Sequence, residues 1–300
     1  MSTINNSRMT YYINLQKATT GVKQETHLRT YDSGKVATAG KGFKKPEKVV
    51  QSEPKIETPK KEPLKVMKIG VTEQKREERI QKYGEDVQSF TKLVDTLNDT
   101  NIEQVREIVK NNEVIRSYLK EVYSDLKKRP IGQGKEIRLT PEQYIATMEV
   151  GKYILISAGK NGVNNPDTHQ NKDEQYFKDQ HVALKNELVE KGYLINDALG
   201  KYGGAQEPSI MVMVHDSNES EMEQLGYKYQ QHTIIYSSDK TNKMIKTYGD
   251  MRGEILEGFG YSPQSSVAED DFTRLYLSTG KPIKFSLNFN FESKPDFFSR

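Results

Sequence analysis

The stretch from Gly34 to Lys65, GKVATAGKGFKKPEKVVQSEPKIETPKKEPLK, constrains the fold more than any other part of this 300-residue chain. Pro46, Pro54, Pro59 and Pro63 each remove a backbone donor and disfavour helix at the residue before. Between them lie mainly lysine and glutamate, with little apolar surface to offset the entropy of ordering. The expectation is an extended, flexible basic arm over residues 1–67, partly polyproline II, with no place in a core. Those residues hold 13 Lys and Arg against 6 Asp and Glu, an excess of +7 within a chain total of +3. The charge alternates in sign instead of forming an unbroken basic run. That favours contact with other protein subunits, Lys44 and Lys45 being candidate contacts, over nucleic acid. Upstream, Tyr11 to Gln16 alternates as a short strand would, and such a strand suits pairing with a neighbour's sheet edge or docking on its own body.

Only 34% of the residues are hydrophobic, and no apolar run approaches the roughly 20 residues that span a bilayer. The start, MSTINNSRMTYY, lacks the apolar stretch of a secretory signal, so no membrane partner is expected. Cysteine is absent, which removes disulfides, thiolate zinc sites and cysteine nucleophiles.

From 68 to 150 the pattern is helical. Thr72 precedes a charged segment through Lys82 that is expected to project into solvent. One continuous helix then carries Val87, Phe90, Leu93, Val94 and Leu97 on a face. A second stripe is Ile102, Val105, Ile108 and Val109; a third is Ile115, Tyr118, Leu119, Val122 and Leu126. Thr140-Pro141-Glu142-Gln143 combines a threonine cap, proline at the first helical position and a capping-box glutamine. These stripes read as core, because an amphipathic helix must bury one face.

From 151 onward, Tyr153–Ala158 reads as a buried strand running into the loop GKNGVNN, followed by a helix over Asp173–Lys191 and a strand over Tyr193–Asp197. A glycine-rich loop, GKYGGAQEP, leads into a strand at Ser209–Val214. A short helix at Glu219–Leu225 and strands at Thr233–Tyr236 and Met244–Tyr248 follow. That order predicts an α/β sheet unit with helices packed on it. The whole chain is then α+β: basic arm, helical N-terminal layer (68–150) and α/β domain (151–300). In such sheets ligands sit at the carboxyl ends of strands, which selects the loops at 159–165 and 200–209. Their candidate ligand-binding residues are Lys160, Asn161, Asn164, Tyr202, Gly204, Glu207 and Ser209. The first loop lacks the spacing of a phosphate-binding P-loop, and the second has the glycines that permit close backbone approach.

The series YILISAGKNG, then a helix, GKYGGAQEPSIMVMV and YQQHTIIY resembles an uncharacterised bacterial and phage family catalogued as domain of unknown function 3293. The matching positions are Asn161 and Asn164, then Gly200, Tyr202, Gly204, Glu207 and Ser209, then Gln230 or Gln231, all within 150–250. The resemblance implies a small α/β domain with a polar loop after its first strand. It carries no activity across, and it implies a setting in a virion or an infected bacterial cell.

No GxSxG or HExxH motif is present, and His169 with Asp167 does not make a metal site. No cofactor is called for. Residues 251–280 read as loop, rich in Gly253, Gly258, Gly260 and Pro263. Lys284–Phe291 then alternates without fault: Phe285, Leu287, Phe289 and Phe291 share one face, either completing the chain's own sheet or donated to a partner. The leading expectation is a non-enzymatic structural or accessory component of an assembly, plausibly a phage virion, contacting partners through Lys44, Lys45, Phe285, Phe289 and Phe291. The alternative is a ligand-binding domain or enzyme acting on nucleotides or nucleic acid through the two loops.

Overall fold

A computed structural model describes residues 73–159, 169, 171–202, 205–238, 241–249, 251–264, 271–294 and 296–297. The chain divides into Met1–Glu57 and Thr58–Arg300, and every described residue belongs to the second unit. The expectations for the arm, including Lys44, Lys45 and the strand at 11–16, therefore lie outside the described residues.

Four helices come first: α1 (Glu73–Tyr83), α2 (Glu85–Asp95), α3 (Ile102–Asn111) and α4 (Glu113–Ser124). The single helix expected from Thr72 to Leu97 is broken at Gly84, whose φ of +82° suits glycine and interrupts the helical path. The charged α1 projects into solvent as expected along Glu73–Lys75, Glu77, Glu78, Gln81 and Lys82, and one side of it meets the end of α4. Lys75 and Arg79 both pair with Asp125, at 2.8 and 2.9 Å, and Arg79 is buried. Asn112 caps α4 by accepting from the backbone N–H groups of Val114 and Ile115. A fifth helix, α5 (Pro141–Val150), carries the capping box expected of Thr140 and Gln143. The three stripes are buried as their spacing demanded, from Val87, Phe90 and Val94 through Val105 and Val109 to Tyr118, Leu119 and Val122.

The remaining elements are β1 (Lys135–Glu136), β2 (Lys152–Ile156), α6 (Glu174–Glu190), β3 (Leu194–Tyr202), β4 (Ala205–Met213), α7 (Glu219–Lys228), β5 (Thr233–Ser238), β6 (Thr241–Lys246), β7 (Ile255–Gln264), β8 (Phe272–Tyr276) and β9 (Pro282–Phe289). They overturn the expected fold. The strands run in the order β3-β4-β2-β5-β6-β7-β9-β8, every neighbour antiparallel, and β8 pairs back onto β3. The sheet is a closed eight-stranded antiparallel barrel, not an open sheet under a helical layer; β1 adds to β3 in parallel outside the ring. Closure depends on β3, whose residues pair with β4 along one edge and, over Ala198–Lys201, with β8 along the other. A closed ring leaves no free edge along its strands.

Two expectations fell with the open sheet. The loop-rich reading of 251–280 missed β7 and β8, because Gly258, Gly260 and Pro263 sit inside a strand. A register shift between Gly258 and Tyr261 accommodates them. An added Cβ on Gly258 would lie 2.3 Å from the Asn288 carbonyl oxygen, so the close pairing of β7 and β9 requires glycine there. The glycine-rich segment from Gly200 to Pro208 is a β-hairpin, not a loop: β3 and β4 pair from Ile195↔Val212 down to Tyr202↔Ala205.

Alternation sorts each strand's side chains to two sides. Tyr153, Leu155, Ala198, Met211, Met213, Leu275, Ile283 and Phe285 point into the barrel and are continuous with the core of α2 to α5, so helices and barrel interior share one apolar body. Tyr153 and Phe285, from strands that are not neighbours, meet edge to face at 6.5 Å across the interior. Ile154, Ile156, Ile195, Ile210, Val212 and Ile234 face outward beneath Leu184 and Leu188 of α6 and Met222 and Leu225 of α7.

Candidate functional site

Sequence places two features at the same mouth of the barrel: the carboxyl end of β2 and the β3–β4 hairpin. Strand β2 ends at Ile156, and Ser157 continues its inward-facing series after Tyr153 and Leu155. On β4 the inward series is Glu207, Ser209, Met211 and Met213, with Glu207 opposite Gly200 of β3. The pairing of β4 with β2 runs only from Ile210 to Met213, so Glu207 and Pro208 lie beyond it. There the missing N–H of Pro208 costs no bond to β2.

Ser157 is held from three directions. Its backbone N–H donates to the Gln231 side-chain oxygen at 2.7 Å, its hydroxyl donates to the Pro208 carbonyl at 2.7 Å, and the Gly159 N–H donates to its Oγ at 2.9 Å. Gln231 comes from the end of α7. There Gln230 adopts φ +54°, and the Gln231 N–H donates back to the Gly226 carbonyl at 2.9 Å, a left-handed helix termination. Ser209 donates to the Glu207 carbonyl at 3.3 Å. His169 is buried edge-on against Tyr176 and Phe177, at 5.8 and 5.3 Å. Burial holds its pKa below the usual value against the opposing effect of a hydrogen bond with Gln230.

Glu207 is the perturbed group of this mouth. The residue keeps some accessible surface, but its carboxyl is desolvated enough to titrate at about 7, with a hydrogen bond to Ser157 opposing the rise. No ion pair to Glu207 exists among the described residues. Further round the ring at the same level, the inward-facing Lys246 pairs with Glu254 at 3.0 Å and lies 4.7 Å from the ring centroid of Phe297. That charge is neutralised where it stands.

The structure thus brings Glu207, Ser209, Gly200 and Gln231 together, all positions of the sequence motif. Ser157 and the termination at Gln230 escaped the sequence reading. Ser157 was legible only as a polar residue ending an apolar run at an inward-facing position. Lys160, Asn161, Asn164 and Gly204 lie outside the described residues, as does Asp167, and of Tyr202 only the backbone is described. Among the described residues no group of three His, Asp or Glu is placed to hold a metal ion. In an antiparallel ring the carboxyl ends of neighbouring strands alternate between the two mouths, so the carboxyl-end rule of parallel sheets does not select this one.

Phe285 and Phe289 are buried, at 0% and 5% exposure, Phe285 in the core shared with the helices and Phe289 in a smaller cluster with Leu256 and Phe297, against which Phe291 packs partly. The face proposed for donation to a partner is occupied by the chain's own core, which corrects Phe285 and Phe289 as contact residues. At the helical end, Glu149 accepts from Arg106 at 3.0 Å and from the Tyr261 hydroxyl at 2.5 Å, and the Arg106 guanidinium lies 4.2 Å from the Tyr261 ring centroid. Among the described residues no helix is long and apolar enough to cross a membrane. Comparison with protein-family models and with curated proteins gave no match.

Proposed function

We propose that the chain is a ligand-binding protein whose site is the barrel mouth around Glu207, with binding rather than catalysis as its task. The observation that carries this reading is a desolvated carboxyl titrating at about 7 beside a serine, Ser157, held by three hydrogen bonds. A carboxyl left in that state costs folding free energy, and such costs concentrate at functional sites. Closed barrels suit the task because their walls are fixed by pairing on both edges of every strand. Ser157 and Ser209 supply hydroxyls for orientation, and Gly200 opposite Glu207 keeps the wall low.

The test is a thermal-shift panel of small cations, neutral polar compounds, nucleotides and carboxylates on the full chain and on Glu207→Gln. A compound that stabilises the wild type and loses that effect in the variant, with the variant's own unfolding still cooperative, supports the site. A compound that stabilises both equally refutes it.

A second reading rests on the excess of +7 in residues 1–67: the arm anchors the protein to other subunits of an assembly, in a virion or an infected bacterial cell. The resemblance to the bacterial and phage family supports that setting. Equal rates of tryptic cleavage within residues 34–65 in free and assembled material would overturn it.

A further inference from the structure

We infer that the seat of Phe297 is a binding site for a neutral aromatic ring of a ligand, and that Phe297 is its built-in, displaceable occupant. The seat lies across the ring from Glu207, on the wall of β6, β7 and β9. Met244 stands opposite Leu256 in the register of β6 and β7, and Phe289 stands opposite Gly258 in that of β7 and β9. Alternation puts all three apolar side chains on the inner face. Phe297 packs on them and is 1% exposed. Two residues on from Met244, Lys246 shares that face, and its Nζ lies 4.7 Å from the Phe297 ring centroid. Lys246 itself is 2% exposed.

Burying an ammonium costs free energy that an apolar residue in its place would not. A seat that only fastened the segment after β9 would be filled at lower cost by leucine or methionine. What the ammonium adds is a preference for the face of a π system over an aliphatic group. Glu254, 3.0 Å from Nζ, supplies the countercharge, so the seat suits a neutral ring better than a second anion. The occupant is lightly attached. The Asn290 N–H donates to the Glu257 carbonyl at 3.2 Å, the last described backbone bond from this segment to the barrel. Beyond it, the N–H groups of Ser293, Lys294 and Phe297 donate to the carbonyls of Asn290, Phe291 and Lys294, closing turns within the segment. Its side-chain anchors besides Phe297 are Phe291, 6.0 Å from the Phe289 ring, and a partly exposed ion pair between Lys294 and Glu254 at 3.6 Å. Strand β9 is bonded along both edges, to β7 and to β8, so the segment can lift while the barrel holds.

The experiment is amide hydrogen exchange on the full chain and on Lys294→Glu, titrated with benzyl alcohol or, as its aliphatic counterpart, cyclohexylmethanol. Benzyl alcohol should displace Phe297, raising exchange across residues 290–297 saturably while β9 keeps its protection. Lys294→Glu sets a like charge against Glu254 and favours the lifted segment, so its half-saturating concentration of benzyl alcohol should fall about threefold or more. Cyclohexylmethanol should act about threefold or more weakly than benzyl alcohol on both proteins, because it offers the ammonium no π face. Equal action of the two alcohols would overturn the aromatic class. If benzyl alcohol leaves residues 290–297 unchanged in both proteins, or deprotects β9 to the same extent, the seat is not a binding site.

Discussion

The two ends of the barrel bury a carboxyl in opposite ways. Where α5 enters, Glu149 is matched by Arg106 at 3.0 Å and by the Tyr261 hydroxyl at 2.5 Å, so charge and hydrogen-bonding capacity are met within the chain. At the far end of β4, Glu207 has a hydrogen bond with Ser157 that offsets only part of its desolvation, and no described basic neighbour on the inner face. The first arrangement is what a stable junction needs, because a desolvated charge without a partner is costly. The second leaves a vacancy that a proton fills below neutrality. What differs is not burial but whether a basic partner stands among the described residues, and the proposed site rests on that difference.

The largest expected effect tests the interior that both ends share. Phe285→Ala should cost about 3–5 kcal/mol in urea unfolding, since the ring is fully buried and meets Tyr153 and Tyr261 edge to face at 6.5 and 6.1 Å. A loss under about 1 kcal/mol would mean that β9 does not close the barrel as described. Next comes the matched end. Arg106→Met should destabilise by about 2–3 kcal/mol by stranding Glu149, and a double-mutant cycle with Glu149→Gln should recover much of that loss.

The unmatched end should behave with the opposite sign. Glu207 titrates at about 7 in the fold against an ordinary 4.5, so its contribution to stability is complete below about 4.5 and is lost as pH rises through about 7. Glu207→Gln should therefore be close to neutral near pH 4.5 and more stable than the wild type by about 2 kcal/mol above pH 7, measured as urea midpoints at both pH values. Parallel curves for the two proteins across that range would erase the contrast between the ends. The smallest effect concerns the helix that closes the matched end: Thr140→Ala removes half of the capping box of α5 and should cost about 1 kcal/mol.

Much of the helical half was legible residue by residue. The stripes at Val87 to Leu126 and the Thr140 capping box are local signals, carried by a period of 3.6 or by three adjacent residues. The break at Gly84 is equally local but faint, because a single glycine in a charged stretch is weak punctuation. Strand β9 was also legible, since Lys284–Phe291 alternates strictly. Strands β7 and β8 were not. A strand that includes Gly258, Gly260 and Pro263 is stabilised by the partners it meets, above all Asn288 and Phe289 on β9, some thirty residues away in sequence. The site was legible in part. Glu207 stands out from its glycine-rich context, yet a ligand site at the carboxyl ends of strands presupposes a parallel sheet, which this ring is not.

By itself the sequence determined that residues 1–67 carry a basic excess with little to bury, where the amphipathic faces lie, and that Phe285, Leu287 and Phe289 share one side of a strand. These follow from local periodicity and composition, which need no knowledge of the partner. Only the tertiary structure decided that the strands close into a ring, and closure rests on β3 meeting β8, a pairing between segments far apart in the chain. The same closure turned Phe285 and Phe289 inward. It also set Ser157, Glu207 and Gln231, from three separate segments, around one mouth, with no ion pair to the carboxyl among the described residues. A pKa near 7 is a property of that assembled environment, because desolvation is contributed by everything that surrounds a group and by nothing in its immediate sequence.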